Sequence, residues 1–384
     1  MSTLISRDIA LAHHWAVSMR GGEKVLEALA TMFPEAPIHT LVARPENLSE
    51  TLRRHRFVTS PLQLLPGGAR HYKKLLPLFP WAIRRLRVAP GTRVVISSDA
   101  SMIKGLTVPD GAVHICYCHS PPRYLWDMTD TYLQSTAGLG AIGRAVFRWV
   151  IPRARRFDRA AADRVTHFIA NSAFVQQRIR AFYGREAEII HPPVDVEAFD
   201  AGRARKDFYL LVSELVPYKR ADLAVEAFRQ TGRRLVVIGD GSEMVSLRAS
   251  APANVEFLGR QPFAVLKEHF ETCRAFLYPQ IEDFGITAVE AQAAGSPVLA
   301  YRAGGALDTV LENETGLFFD RQDAAALADA VERAERTAFS PAACRANAGQ
   351  FQARHFTEKI TAFIARATTA APGLSPRCPS EKTS

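Results

Sequence analysis

The feature that most constrains the fold is a repeated alternation of short apolar runs with amphipathic stretches. The first half contributes the runs IALAHH, RVVISS, VHICYCH, THFIANS and EIIHP, and the second half contributes FYLLVS, RLVVIGD, VEFLG, AFLYP, PVLAY and GLFF. Between them lie helix-like segments such as GEKVLEALATMF, SAFVQQRIRAFYG and ADLAVEAFRQTG. Continuous apolar strands that alternate with helices are typical of parallel sheets covered on both faces.

The length of the chain and one pause in this alternation predict two domains. A chain of 384 residues is too long for one ordinary core. The alternation pauses in a segment rich in proline and charge, which predicts a linker over residues 192–206. We expect an α/β fold of two Rossmann-like, doubly wound domains, residues 1–191 and 207–367, which face a cleft where ligands bind at the carboxyl ends of the strands. Packing of the last helix against either the second or the first domain is compatible with the sequence. The tail 368–384 is expected to be disordered.

Composition narrows the class of protein. The chain is 47% apolar and 23% charged, as in soluble globular proteins. Its net charge of +9 favours anionic partners such as nucleotides or phospholipid headgroups, although it is equally compatible with mere solubility. The five cysteines form no zinc-site pattern and indicate reduced thiols. No signal peptide and no run of roughly 20 apolar residues is recognisable, so we expect a cytoplasmic location.

The stretch IEDFGITAVEAQAAG, residues 281–295, has the chemistry of a ligand site. The backbone N–H groups at Gly285, Ile286 and Thr287 open a predicted helix, have no partners inside it, and suit a phosphate. The carboxylates of Glu282 and Glu290 can each accept two hydrogen bonds from a vicinal diol. Together these groups are complementary to a nucleotide-sugar, in which a diphosphate lies between two groups that carry diols. The alternative is that Glu282 only caps the helix and that Glu290 pairs with a surface cation.

Glu282 and Glu290 have the spacing E-x7-E. This spacing, with the surrounding stretch FGITAVEAQAAGSPVLAYRAGG, resembles the corresponding stretch of glycosyltransferase family 4, whose members are retaining enzymes of the GT-B fold. Further stretches resemble the family in the same order: HHWAVSMRGGEKVLEALATMFP, CHSPPRYLWD, IANSAFVQQRIRAFYG, IIHPPVD and LVPYKRADLAVEAF. MRGGEKVLE and LVPYKR are similar to its mannosyltransferase-like branch, which builds lipopolysaccharide O-antigen and exopolysaccharide. The resemblance implies transfer of a hexose, most simply mannose from GDP-mannose, to an oligosaccharide or polyprenyl-diphosphate-linked acceptor. No metal or other cofactor is expected, because no Asp-x-Asp cluster is suitably placed.

The resemblance also implies roles for individual residues. Lys219 is the cation that holds the donor diphosphate, and Arg220 is the candidate second cation because Glu214 stands where many members have arginine. Gly21 and Gly22 would face the same diphosphate, and Arg260 would face the nucleobase. The other donor-side candidates are Ser213, Gly239, Gly241 and Phe284. A structural turn is a competing explanation for Gly239 and Gly241.

His119 falls on the position of the family's active-site histidine, and it ends a predicted strand where a neutral imidazole can bond a sugar hydroxyl. The predicted catalytic set is therefore His119, Lys219 and Glu282. On the acceptor side the candidates are His14, with its neighbour His13 as the alternative, Tyr124 and Asp127, whereas Trp126 is better explained by core packing.

The segment RHYKKLLPLFPWAIRRLRV, from Arg70 to Val88, is basic, amphipathic and contains a tryptophan. It is typical of a peripheral contact with an anionic membrane, and packing of its apolar face on the first sheet is equally compatible. No nucleic-acid partner is expected. Two other functions remain open at this point: a nucleotide-sugar epimerase of the same fold, and a non-catalytic protein that binds a sugar nucleotide or a lipid.

Overall fold

The computed structural model describes residues 8–130 and 140–369, which divide into two compact units. Unit 1 contains the residues up to His191 and those from Thr357 onward, and unit 2 is Pro192–Phe356. Each unit is built around one parallel sheet.

Unit 1 contains a sheet of seven parallel strands with helices between them. The strands are β1 (Ile9–His13), β2 (Ile38–Thr40), β3 (Phe57–Thr59), β4 (Val94–Asp99), β5 (Val113–Cys118), β6 (His167–Ala170) and β7 (Ala187–Ile189). The helices are α1 (Gly21–Met32), α2 (Glu50–Arg53), α3 (Gly68–His71), α4 (Phe79–Arg85), α5 (Gly140–Arg164) and α6 (Ala173–Tyr183). The strand order is β3-β2-β1-β4-β5-β6-β7.

Unit 2 contains six parallel strands. They are β8 (Tyr209–Val212), β9 (Leu235–Ile238), β10 (Val255–Gly259), β11 (Phe276–Tyr278), β12 (Val298–Tyr301) and β13 (Gly316–Phe319), in the order β10-β9-β8-β11-β12-β13. The helices are α7 (Ala221–Thr231), α8 (Met244–Ser250), α9 (Phe263–Thr272), α10 (Ile286–Ala293), α11 (Ala306–Thr309), α12 (Ala324–Glu335) and α13 (Pro341–Gly349). A last helix, α14 (Ala353–Thr369), begins in unit 2 and ends in unit 1.

The strand order reverses once in each sheet, and this reversal positions the candidate sites. In unit 1 the chain runs outward from β1 to β3 and then returns to place β4 on the other side of β1. In unit 2 it does the same around β8 and β11. Connections on either side of such a point leave toward opposite faces, so a crevice opens beyond the carboxyl ends of these strands.

The predicted α/β architecture of two parallel sheets is confirmed. In β8, Leu210 lies in one buried cluster while Tyr209 and Leu211 lie in another, because successive side chains point to opposite faces. Both faces are therefore covered, which explains the continuous apolar runs. Strands β2 and β3 were not predicted, because IHT and FVT contain only three residues each and give no periodicity.

The segment predicted as a linker is part of unit 2. Val194, Val196 and Phe199 are buried in its core. The part of helix α14 that belongs to unit 1 packs beside β6, where Phe363 lies edge-on against His167 with ring centroids 5.9 Å apart. This helix continues to Thr369, two residues into the predicted tail, and the rest of the tail lies outside the described residues.

Cys116, Cys118, Cys273 and Cys344 are free and buried, and Cys378 lies outside the described residues. Over residues 8–130 and 140–369, no helix combines the length and hydropathy needed to span a bilayer.

The basic segment 70–88 forms short helices, with a 3-10 helix at Tyr72–Leu78 followed by α4. Its Phe79, Ile83 and Leu86 are buried in the core of unit 1. Trp81 on the same helix is 45% exposed. One face of the segment therefore packs on unit 1, and the other face is open.

Candidate functional site

Three histidines meet around one serine at the reversal point of the first sheet. His13 ends β1 and lies opposite Ser98 of β4 in the parallel register. The Ser98 hydroxyl is hydrogen-bonded to His13 Nδ1 at 3.1 Å and to His119 Nε2 at 2.7 Å. His14 Nδ1 is 3.4 Å from the Ser98 carbonyl oxygen. The structure therefore brings the predicted His14 and His119 into one cluster, which we call the histidine cluster: His13, His14, Ser98 and His119.

Burial keeps the imidazoles of His14 and His119 neutral. Desolvation, followed by the nearby His13, lowers the pKa of His119 to about 3. Desolvation and the neighbouring His13 and His119 hold the pKa of His14 well below its ordinary value. Near neutral pH both rings therefore act as hydrogen-bonding groups rather than as acids.

Gly22 lies directly over the histidine cluster. Helix α1 begins at Gly21, and a Cβ on Gly22 would lie 3.4 Å from His13 Cε1, 3.7 Å from His119 Nε2 and 3.8 Å from His14 Cε1. Any larger side chain would cover the rings. The predicted glycine pair thus opens a helix, and Gly22 leaves the cluster accessible from that side.

The other acceptor-side candidates are engaged elsewhere. Tyr124 is hydrogen-bonded through its hydroxyl to Ser101 Oγ at 2.7 Å. Asp127 receives two hydrogen bonds from the guanidinium of Arg178, one of them 3.2 Å long. Trp126 stacks on Phe182 with centroids 5.1 Å apart, in keeping with its interpretation as a packing residue. Ser101 and Arg178 therefore hold the side chains of Tyr124 and Asp127 in place.

A buried ionic network lies beside the cluster. Lys104 is almost fully buried, and its ammonium group donates to Asp99 Oδ2 at 3.2 Å and to Asp158. Asp158 also accepts hydrogen bonds from Trp126 Nε1 at 2.9 Å and from the Tyr183 hydroxyl at 2.8 Å. The network joins the end of β4 to α5 and α6, and so fixes the strand that carries Ser98.

In unit 2, Lys219 and Glu282 form an ion pair although 63 positions separate them in sequence. Lys219 follows β8 and Glu282 follows β11, the two strands that flank the reversal point. Gln280 donates from Nε2 to Glu282 Oε1 at 3.1 Å, and its own Oε1 is buried without a hydrogen-bond partner among the described residues. Two members of the predicted catalytic set, Lys219 and Glu282, are thus in contact.

Arg220 does not join this pair. It has a left-handed backbone with φ of 55° just before α7, and its guanidinium donates to Asp222 Oδ1 at 3.1 Å. Its Nη1 also lies 3.4 Å from Gln322 Oε1. The proposed replacement for the missing family arginine therefore has an acidic partner of its own.

Helix α10 begins beside the ion pair. Gly285 precedes it with φ of 93°, and a Cβ there would lie 2.3 Å from the Tyr278 hydroxyl, so only glycine fits. The first-turn N–H groups of Ile286 and Thr287 have no acceptors within the helix. Glu290 lies half-buried on the next turn. The stretch 281–290 therefore presents amides and carboxylates close to an ammonium group.

The remaining donor-side candidates include two glycines that backbone packing explains and two side chains, Phe284 and Arg260, in different surroundings. Gly239 has φ of 144° and a Cβ there would lie 1.8 Å from the Ser213 carbonyl oxygen, so a close backbone approach already explains this glycine. Gly241 is equally crowded by the Leu215 carbonyl oxygen, at 2.2 Å. Phe284 is buried against Phe351, with centroids 5.4 Å apart, which leaves only its backbone for a ligand. Arg260 follows β10 and is exposed.

Two residues of these clusters were not predicted. Ser98 was missed because its role depends on β4 lying between β1 and β5, and strand order is not visible in sequence. Gln280 offers a signal, since it is a polar residue directly after an apolar strand that ends at the reversal point.

Two family models match this chain. The sequence model described as Glycosyltransferase Family 4 matches residues 19–198, and the model described as Glycosyl transferases group 1 matches residues 197–351. The two matches adjoin and take in both units.

Curated relatives resemble part of the chain. A GDP-mannose-dependent alpha-(1-6)-phosphatidylinositol monomannoside mannosyltransferase of Mycobacterium tuberculosis is 32% identical over 214 residues, which are 47% of this chain and 56% of that protein. A D-inositol 3-phosphate glycosyltransferase of Acidothermus cellulolyticus is 31% identical over 45% of this chain and 46% of its own length. The chain spans about half the length of these relatives.

The fold recurs among solved structures. Anabaena HepE in complex with UDP superposes with a TM-score of 0.66 at 16% identity, covering 93% of this chain and all of that one. This likeness shows the fold and the two family models show the family: the chain belongs to glycosyltransferase family 4 and has the GT-B fold.

Proposed function

We propose that the protein transfers a hexosyl group, mannose from GDP-mannose, to a hydroxyl of an oligosaccharide or lipid-linked acceptor in surface polysaccharide synthesis. The observation that carries this proposal is the contact between Lys219 and Glu282 beside the amino terminus of α10. The activity of the M. tuberculosis relative supports the choice of donor.

In this proposal the donor's diphosphate binds to unit 2. Lys219 supplies a point charge, and the N–H groups of Ile286 and Thr287 donate hydrogen bonds to phosphate oxygens. The carboxylates of Glu282 and Glu290 accept hydrogen bonds from the hydroxyls of the sugar and the ribose. We assign no metal, because a cation and a helix amino terminus are available to balance the phosphate charge.

The reaction breaks the bond between the sugar's anomeric carbon and the diphosphate oxygen, and the bonding electrons leave with the phosphate. The acceptor oxygen bonds to the same carbon, and its proton passes to the departing phosphate. Attack on the face from which the phosphate leaves retains the anomeric configuration. Lys219 and the α10 amides stabilise the charge that develops on the leaving group.

The histidine cluster is assigned to sugar hydroxyls. His119 is neutral because burial lowers its pKa to about 3, so it is suited to hydrogen bonding and not to protonating the leaving group. Ser98 fixes the ring through its 2.7 Å contact with Nε2.

The test is donor turnover with and without an acceptor. The protein is incubated with a panel of nucleoside diphosphate sugars, alone and with a lipid-linked oligosaccharide fraction, in the presence of a chelator. We expect GDP-mannose to be consumed only when acceptor is present. Conversion of the donor without acceptor would favour an epimerase, and binding without turnover would favour a non-catalytic protein.

A matched pair of variants tests the role of Lys219. Lys219→Ala is expected to lower turnover by roughly a hundredfold or more, because it removes a group that stabilises leaving-group charge. Lys359→Ala removes an equal charge at an exposed position on α14 and should leave turnover unchanged. Equal turnover by the two variants would refute the assignment of Lys219.

A further inference from the structure

Unit 1 carries a basic groove outside the clusters described above. The groove has a volume of about 790 Å³ and lies between α4 with the turn that precedes it and the middle of α5. Five arginines line it, and all five are exposed: Arg84, Arg85, Arg87, Arg153 and Arg156. We call it the arginine groove. Only one of its walls belongs to the basic segment 70–88, and α5 supplies the other.

Two tryptophans on opposite walls of the arginine groove are open to solvent. Trp81 is 45% exposed and Trp149 is 59% exposed. The guanidinium of Arg85 lies 4.6 Å from the Trp81 ring centroid, and that of Arg153 lies 3.7 Å from the Trp149 centroid. Each indole thus pairs with a cation in a geometry that leaves both groups on the surface.

The positive charge of the arginine groove is not balanced locally. None of the described residues that line it is acidic, and no carboxylate of the described residues forms an ion pair with its five guanidiniums. Some exposed arginines elsewhere are paired, as Arg180 is with Glu186 at 2.7 Å and Arg302 with Glu312 at 2.7 Å. The groove is therefore complementary to an anionic surface.

Exposed apolar side chains flank the same arginines. Leu78, in the turn before α4, is 42% exposed, and Val146, one helical turn before Trp149, is 46% exposed. Nucleic acid would satisfy the arginines but offers no apolar phase for these side chains. A bilayer interface offers both, since its phosphates accept hydrogen bonds from arginine and its acyl boundary takes tryptophan and aliphatic groups.

We propose that the arginine groove docks the protein on an anionic phospholipid bilayer, with lipid phosphates held by its guanidiniums and the two tryptophans at headgroup level. This inference goes beyond the proposed function and does not depend on the donor or the transfer reaction. Failure of membrane docking would leave the donor-site assignment intact.

The test is co-sedimentation of the full chain with vesicles of phosphatidylcholine alone or mixed with phosphatidylglycerol. Binding is expected on the mixed vesicles at low salt and should weaken at high salt. Arg85→Glu/Arg153→Glu is expected to reduce partitioning by roughly tenfold or more. The control Arg53→Glu/Lys359→Glu makes the same change in net charge at exposed positions away from the groove and should bind like the wild type.

A second double variant, Trp81→Ala/Trp149→Ala, keeps every charge and should also lose binding. Thermal unfolding checks that all variants remain folded, which is expected because the altered side chains are exposed. Equal loss in the charge control and the groove variant would overturn the proposal. The proposal would also be overturned if the tryptophan variant bound vesicles as well as the wild type and a DNA duplex inhibited that binding.

Discussion

Lys219 and Glu282 show how the fold creates a site from residues that are distant in sequence. Each follows a strand beside the reversal point of the second sheet, so they meet although 63 positions separate them. Sequence reasoning identified both residues from motifs and from charge at helix ends. It did not identify their mutual contact, because that requires β8 and β11 to be neighbours.

Buried histidines make the stability of unit 1 depend on pH. Desolvation lowers the pKa of His119 to about 3 and that of His114 to about 4. In the unfolded chain these groups take up protons near their ordinary pKa of about 6.5, whereas the folded protein does not until far lower pH. The contribution of these neutral histidines to the free energy of unfolding is therefore fully present above about pH 6.5. It is lost as the pH falls toward the pKa values of the folded protein.

For each of these two histidines, we expect the free energy of unfolding to be about 2 kcal/mol lower at pH 5 than at pH 7. Urea unfolding at several pH values measures this dependence. His114→Gln, which keeps a polar group near Ser97 Oγ, should reduce the pH dependence by one histidine's share. An unchanged slope in this variant would show that His114 is not the source.

At the scale of elements, Gly285 determines how α10 begins. Gly285→Ala would place a Cβ 2.3 Å from the Tyr278 hydroxyl at φ of 93°. We expect a loss of roughly 3 kcal/mol or more of unfolding free energy, because strain and overlap add. Gly232→Ala is the matched control, since Gly232 has φ of 68° at the end of α7 and nothing within 4 Å of its Cβ position.

The Gly232→Ala control should lose only about 1 kcal/mol of unfolding free energy, because alanine there adds only the strain of a left-handed backbone. Urea midpoints of the two variants give the comparison. Equal losses would mean that Tyr278 yields readily and that the start of α10 is not tightly fixed.

The ionic network ties β4 to α5 and α6. Lys104→Met would leave the carboxylates of Asp99 and Asp158 buried without their cation, and we expect a loss of about 3–5 kcal/mol. Lys359→Met on the exposed face of α14 should change the unfolding free energy by less than about 0.5 kcal/mol. A comparable small effect at Lys104 would show that the network does not hold these elements.

Elements were predictable where the sequence pattern was long enough. The apolar runs that gave β8 to β13 are bounded by turns and helices, so the second sheet followed from alternation alone. Strands β2 and β3 are three residues long and carry no period. The segment 192–206 looked like a linker because of its charge, yet its few apolar residues, Val194, Val196 and Phe199, are enough to anchor it in a core.

At the scale of the whole molecule, the chain repeats one arrangement twice. Each unit has a parallel sheet whose order reverses once, and each places its polar cluster at that reversal. The histidine cluster is rich in hydrogen-bonding groups, and burial lowers the pKa values of its His14 and His119, whereas the cluster of unit 2 combines an ammonium group, carboxylates and helix amides. The first suits hydroxyls and the second suits a diphosphate with diols.

The most direct test of this account is a crystal structure of the protein soaked with GDP-mannose. The account predicts the diphosphate at the N–H groups of Ile286 and Thr287 with Lys219 in contact, and hydroxyls on Glu282 and Glu290. A donor bound elsewhere, with the Lys219–Glu282 pair untouched, would contradict it.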